Sequence, residues 1–384
     1  MVEVFENDTY GGTGTSIAKL YLTPNSSGYA HFDLSDVVAG RVESCVSVGS
    51  PGGAIVGHTT TTAPSLSNQP VVRQYIVRAG QWNESTGETK NEDNANVNLF
   101  NGVAQISQGL NPDFSDYYPT ASSQKVWMTD RKLNSSNKWI PISMADEDEG
   151  IAQCMKTLIL GGPTDLVAKV RYQVYNDSNT LLQEYSNNVS ISTTLSNNVF
   201  QIPLGPAQID NLVAGGLNSA WHYINIAMLN ASNQLLSKNY RVYKDCRPIK
   251  HDPVQLAWVN TLGAWDYLRF DGRNLKTTTS ESKSYRKALG TYSASSFSFN
   301  PWERETTQYH KTAKEQYNLK NLYFTTEERE LLQYCFRSKQ VMFRVGTGDW
   351  LPCNVMTNTY LTQPAGSQMF EVSFDVELAQ EIRC

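Results

Sequence analysis

The sequence is poor in the groups that enzymes and nucleic-acid proteins collect. Charged residues are only 18% of the chain and its net charge is −5, so no overall field draws it to nucleic acid. Its 5 histidines, His31, His58, His222, His251 and His310, include no pair at metal-ligand spacing and none beside a nucleophile motif. No apolar run is long enough to cross a membrane as a helix. The opening MVEVFENDTYGGTGTS lacks the basic and apolar regions of a signal peptide, which predicts synthesis in a cytoplasm. The 6 cysteines, Cys45, Cys154, Cys246, Cys335, Cys353 and Cys384, form no CxxC. That argues against a zinc knuckle and, in a reducing compartment, for free thiols. Sequons such as Asn230-Ala231-Ser232 then reflect an Asn- and Ser-rich composition. Gly11 to Ser16 (GGTGTS) lacks the Gly-Lys-Ser/Thr ending of a phosphate loop, and no other stretch reads as a cofactor motif.

What is present is strand chemistry. Aromatics reach 11%, with 20 Tyr and 8 Trp, a mix that suits β-rich proteins with large interfaces. The 384 residues suffice for two or three domains of ordinary size. We expect a mainly β chain: two tandem antiparallel β-sandwich-like domains, then a small α+β domain of one helix on an antiparallel sheet. The boundaries predicted are a flexible arm over 1–16, a β-rich domain over 17–163 with a long loop at 49–70, a sandwich domain over 164–272, and the α+β domain over 273–384.

Local patterns set the expected elements. Strands are predicted at Ile17 to Leu22, Tyr29 to Leu34, Val71 to Val77 and Ala95 to Ile106, with a short helix capped by Ser35. The run Asp146-Glu147-Asp148-Glu149 reads as a solvated helix start reaching about Leu160, or as a Ca²⁺ or basic-partner site. Two hairpins are expected, Val167 to Tyr185 around Asn176 to Asn179, and Trp221 to Tyr243 around Asn230 to Asn233. Further on, Thr325 and Glu328 form a capping box before a helix that presents Leu331, Leu332, Cys335 and Phe336. A hairpin over 341–356 and a strictly alternating strand from Phe370 to Leu378 complete the chain.

The most distinctive stretch is Val254 to Gly272, VQLAWVNTLGAWDYLRFDG. It reads as two strands around a tight bend, with Trp258, Asn260, Gly263, Trp265 and Asp266 as a structural motif. Asp266 and Asp271 could pass for a glycosidase carboxylate pair, but an Asp beside a turn is more simply a local acceptor. The most basic stretch, Lys276 to Lys287 with Tyr285 and Arg286 in it, reads as a surface face or a subunit contact ahead of a nucleic-acid contact. Gly11, Gly12 and Gly14 of the arm are candidate subunit contacts as well. Trp302, Tyr309 and Tyr317 read as sugar platforms or as interface anchors. Nothing assembles a nucleophile, a base and an oxyanion site, so no enzyme is expected.

Taken in order, LTPNSSGYAHFDLSDVV, YIVRAGQW, LFNGVAQ, VWMTDRK, the W-x-N-x-L-G-x-W-D stretch after a Cys, SKSYRKALG, LYFTTEERELLQYCFRSKQVMF and FEVSFDVELAQEIR cover most of the chain. This series resembles a family of virion structural proteins from tailed phages of Bacteroidetes hosts, including crAss-like phages. The resemblance implies a non-enzymatic component of the tail, baseplate or neck, present in copies around a symmetry axis. It implies a homo-oligomeric ring that meets other tail, neck or portal-associated proteins. DNA would pass through it without sequence-specific binding. The C-terminal helix and sheet are similar to ring-forming β modules of tail-tube and distal-tail proteins. No catalytic, cofactor or metal residue follows from the resemblance. The alternative expectation is a receptor module that binds host-surface glycans.

Overall fold

The computed structural model describes residues 1–7, 15–32, 34, 37, 72–83, 85–86, 88–100, 126–128, 142–156, 168–188, 199–213, 215–247, 251–260, 265–324, 326–356, 370–380 and 382–383. Among them the chain is mainly β, with several antiparallel sheets and two helices, Pro206–Leu212 and Thr326–Cys335. Two compact units divide it. One comprises Met1–Cys246, Ala257–Tyr267 and Gln333–Lys339; the other comprises Arg247–Leu256, Leu268–Leu332 and Gln340–Cys384.

In chain order the first strands are β1 (Val2–Asn7), β2 (Thr15–Leu20), β3 (Val72–Asn83) and β4 (Glu88–Phe100), which form one sheet in the order β2-β1-β3-β4. Residues 2–7, expected in a mobile arm, are therefore strand. The reason is the alternation of Val2 and Val4, which pack on Tyr75 as a small core. Gly11, Gly12 and Gly14 lie outside the described residues, as do the 49–70 loop and nearly all of the helix expected after Ser35. The strand expected at Tyr29 to Leu34 is absent over its described residues. Asn25 instead folds the chain into a turn, its Oδ1 accepting the N–H groups of Ser27 and Tyr29.

Next come β5 (Val126–Met128), β6 (Ile142–Met144), β7 (Ile151–Lys156), β8 (Lys169–Tyr175), β9 (Leu181–Asn188), β10 (Val199–Pro203), β11 (Tyr223–Leu229) and β12 (Tyr240–Lys244). They make a three-stranded sheet, β10-β7-β5, and a five-stranded sheet, β6-β12-β11-β8-β9, in which only β6 runs parallel to its neighbour. Both expected hairpins are there. The first turns at Asn176 to Asn179, with Asn179 at φ 59° and the Asn176 side chain accepting the Thr180 N–H. The second pairs Tyr223 with Tyr243 and Ile226 with Tyr240. Asn230 closes it by donating to Gln234 Oε1 and is buried, in keeping with its sequon being compositional.

The acidic run does not start a helix. Asp146 and Glu147 form a turn and β7 follows at once. Asp148 is buried, and its carboxylate accepts the Ala145 N–H at 2.8 Å, which closes the turn on itself. Gly150 then donates to Gln208 Oε1 at 3.0 Å, and its carbonyl accepts the Leu204 and Gly205 N–H groups. Gln208 belongs to the helix Pro206–Leu212, which the sequence reading missed; Pro at its first turn after Gly205 was the signal.

The last strands are β13 (Val254–Val259), β14 (Trp265–Phe270), β15 (Leu275–Arg286), β16 (Thr291–Tyr292), β17 (Phe297–Ser298), β18 (Thr306–Phe324), β19 (Val341–Val345), β20 (Leu351–Val355), β21 (Phe370–Leu378) and β22 (Ile382–Arg383). Apart from the β16–β17 pair they form an eight-stranded sheet, β14-β13-β19-β20-β21-β18-β15, with β22 also on β18. The helix Thr326–Cys335 buries Leu331, Leu332 and Cys335, as its period predicts. The hairpin of β19 and β20 and the alternating strand β21 lie where the sequence puts them.

Candidate functional site

Three places bear on function. The first is the motif hairpin. Every residue of β13 and β14 is buried, so the strands are covered on both faces. Trp258 is 0% exposed and Trp265 is 4% exposed. Asn260 Nδ2 donates to Asp266 Oδ1 at 3.3 Å, joining the ends of the two strands; residues 261–264, Gly263 included, lie outside the described residues. Asp271, the other acid once paired with Asp266, accepts Arg269 Nε at 2.6 Å, and Arg247 Nε lies 3.4 Å from its second oxygen. Both carboxylates are thus engaged with neighbours of opposite or amide character. The closing Gly272 is required by contact: its N–H donates to the Lys320 carbonyl, and a Cβ there would run into that same oxygen.

The second place is the outer face of the five-stranded sheet. Its inner face buries Val170, Tyr172, Val174, Ile224, Ile226 and Val242. Its outer face carries a row of tyrosines set by register, Tyr175, Tyr223 and Tyr243. Tyr175 stacks on Tyr223 at 4.8 Å with 12° between planes, and the Arg241 guanidinium lies 4.1 Å from the Tyr223 ring centre. Arg241 Nε also donates to Asn225 Oδ1 at 2.9 Å, and Gln173 Nε2 to Glu184 Oε2 at 2.7 Å. At the margin Asp146 accepts the Trp221 indole N–H at 2.7 Å and pairs with Lys244 at 2.9 Å. The row is an aromatic platform in composition, yet its own cations and amides already cover it: Tyr223 is 5% exposed. Here too the acidic run is structural, through Asp146 and Asp148, and no cluster of His, Cys, Asp and Glu fit to hold a metal occurs among the described residues.

The third place is the ribbon of β15 and β18. All 12 residues of β15 are exposed. It pairs with β18 from Leu275 opposite Asn318 out to Arg286 opposite Thr306, with a bulge at Lys283 and Ser284. At its base Lys276 Nζ meets Glu315 at 2.7 Å and lies 5.6 Å from the Tyr317 ring. The Glu315 hydrogen bond raises the Lys276 pKa against the opposing effect of burial. The far end gathers Tyr285, Tyr292, Phe297, Phe299, Trp302 and Tyr309, all half or more exposed, with Trp302 at 81%. Tyr292 packs on Phe297 at 4.8 Å, Phe297 on Phe299 at 5.7 Å, and Tyr285 faces Tyr309 at 6.2 Å. Arg286 pairs with Glu305, and Lys287 lies 3.8 Å from Glu303.

The structure therefore separates the residues singled out by sequence. Trp258, Asn260, Trp265 and Asp266 come together in a buried hairpin, whereas Tyr285 and Arg286 stand on an exposed one. Sequence reasoning missed that 275–324 folds back as one long ribbon; the β-branched Thr277, Thr278, Thr279, Thr306 and Thr307 were the signal. Among the thiols, Cys246 and Cys353 are free, and burial pushes that of Cys353 up to about 12, so it is unreactive near neutrality. No helix among the described residues is long and apolar enough to cross a membrane. Comparison with protein-family profiles, curated proteins and solved structures finds no match to this chain.

Proposed function

We propose that this chain is a non-enzymatic structural protein of a tailed-bacteriophage virion. It assembles as a symmetric ring in the tail, baseplate or head–tail neck, through contacts of its β domains. The observation that carries the reading is the exposed ribbon: a long outer strand and six bared rings, a surface built to be covered. The order of motifs that resembles phage virion proteins supplies the setting. The finer architecture in this reading is a pair of β-sandwich-like domains ahead of a small helix-plus-sheet domain. Its partners are further copies of the chain and other tail, neck or portal-associated proteins, with DNA passing through the channel without sequence-specific contact. Neither a cofactor nor a catalytic group takes part.

The test is the mass of the purified full chain in solution by light scattering, with negative-stain images of virions labelled by an antibody against it. A discrete multiple of the monomer mass and label on the tail or neck support the reading. A monomer at every concentration sinks it. The second reading, a host-glycan receptor module, rests on Trp302 and its neighbouring rings, which offer flat faces to a sugar. Binding of the monomer to a glycan array, with label at fibre tips, would favour it.

A further inference from the structure

From Ser282 and Lys311 outward the ribbon has only two strands among the described residues, because β22 pairs at Thr312 and Ala313 and β21 no farther out than Gln316. A two-stranded hairpin alone is marginally stable in water. Its two-stranded part takes in Ser282 to Arg286 of β15, about 16 Å at roughly 3.3 Å each, and goes on to the aromatic end. Its strand faces are mostly Thr, Ser and Lys, which supply little to bury, and its apolar side chains are concentrated at the far end. Such a ribbon is stabilised by what it lies against.

The charge of the ribbon differs from that of the rest of the chain. Residues 275–317 hold seven basic and four acidic side chains, a net of +3 in a chain of net −5, so the other residues together carry −8. Lys283, Arg304 and Lys311 make no ion pair among the described residues. The six end rings, at 50–81% exposure, present about 700 Å² if each ring side chain offers ~200 Å². That is close to the roughly 800 Å² per partner of a standard interface.

We propose that the ribbon is a clasp that reaches onto the acidic surface of a second copy of this chain. Its aromatic end is buried there, with Lys283, Arg304 and Lys311 paired to the neighbour's carboxylates. The contact is heterologous, ribbon on body, which is the kind that closes into a ring. The idea rests on the self-assembly part of the proposed function. It deepens that reading by naming the segment that makes the contact and the sign of the surface that receives it.

The experiment compares sedimentation and light scattering of the full chain with two variants. One carries Phe297→Ser, Phe299→Ser and Trp302→Ser; the other carries Lys283→Glu and Lys311→Glu. Far-UV circular dichroism and melting temperature check that each is folded, and the charge variant, altered only at exposed lysines, keeps the test open if the aromatic variant aggregates. The clasp requires assembly of the unaltered chain, at least about 100-fold weaker association for the aromatic variant, and an intermediate loss for the charge variant that 0.5 M salt imposes on the unaltered chain too. Unchanged assembly of a folded variant overturns the clasp and leaves the ring intact. A monomeric unaltered chain overturns ring and clasp together. Binding of a single-stranded oligonucleotide or a glycan that the aromatic variant loses, without any self-association, would assign the end rings to that ligand instead.

Discussion

The outer face of the five-stranded sheet and the ribbon use the same kinds of residue, tyrosines beside arginines and lysines, and end in opposite conditions. On the sheet, Tyr223 lies between Tyr175 and the Arg241 guanidinium, and the row above it is tied by Asn225, Gln173 and Glu184. On the ribbon, Tyr285 and Tyr309 face each other with half or more of each ring in solvent, and Trp302 is almost bare. The difference is strand number. Tyr223 is on a central strand with a neighbour on each side, so cross-strand pairs close over it. Beyond Lys311 the ribbon has one neighbour per strand, and there is nothing of its own to close over the rings. Composition alone does not distinguish a finished surface from an open one.

The contrast is breakable by mutation, and the largest effect belongs on the finished side. Tyr223→Ala should cost about 3–5 kcal/mol, as for other buried aromatics, since both the stack and the cation–π contact go with it; urea denaturation reads the loss. Arg241→Ala should cost about 1–2 kcal/mol, because it removes the charge-assisted hydrogen bonds to Asn225 Oδ1 and to the Tyr243 hydroxyl and bares the Tyr223 ring. Its tyrosine fluorescence should show greater quenching by acrylamide. Trp302→Ser, on the open side, should change stability by no more than about 0.5 kcal/mol while weakening association. An equal loss of stability at Trp302 and at Arg241 would abolish the distinction.

The smallest effect is electrostatic and belongs to the first sheet. Burial pushes the Glu3 carboxyl up, but the Ser16 hydroxyl with Lys19 and Arg78 outweighs it and holds the group below its usual 4.5. A depressed carboxylate contributes stability above its unfolded pKa and loses it as pH falls through the folded value. The melting temperatures of the native chain and Glu3→Gln should therefore differ slightly at pH 7. They should converge as the pH drops past 4.5 and meet below the depressed value of Glu3.

Local signals located much of the fold. Asn176 to Asn179 and Asn230 to Asn233 marked their hairpins because turn chemistry is set by a few adjacent residues. The alternation from Phe370 to Leu378 gave β21 its observed limits. The same local reasoning failed at Asp146 to Glu149, where four acids in a row resemble a helix start. Asp148 finds its partner three residues back, and Gly150 finds hers 58 residues on at Gln208, a contact no local pattern contains. It failed again at Tyr29 to Leu34, where the side chain of Asn25 captures the backbone first.

The candidate surface was half legible. Tyr285 and Arg286 stand out in the sequence because a basic stretch with an interleaved aromatic is unusual in an acidic chain. The motif hairpin is more distinctive still, yet its tryptophans are core. What the sequence determined by itself was strand character, turn positions, the helix face at Leu331 and Leu332, and an acidic net charge, since each depends on neighbours along the chain. What only the tertiary structure decided was which aromatic residues are covered. Trp258 and Trp302 are the same residue type, and one is 0% and the other 81% exposed. Burial depends on how many strands lie beside and above a residue, and those strands come from distant parts of the chain.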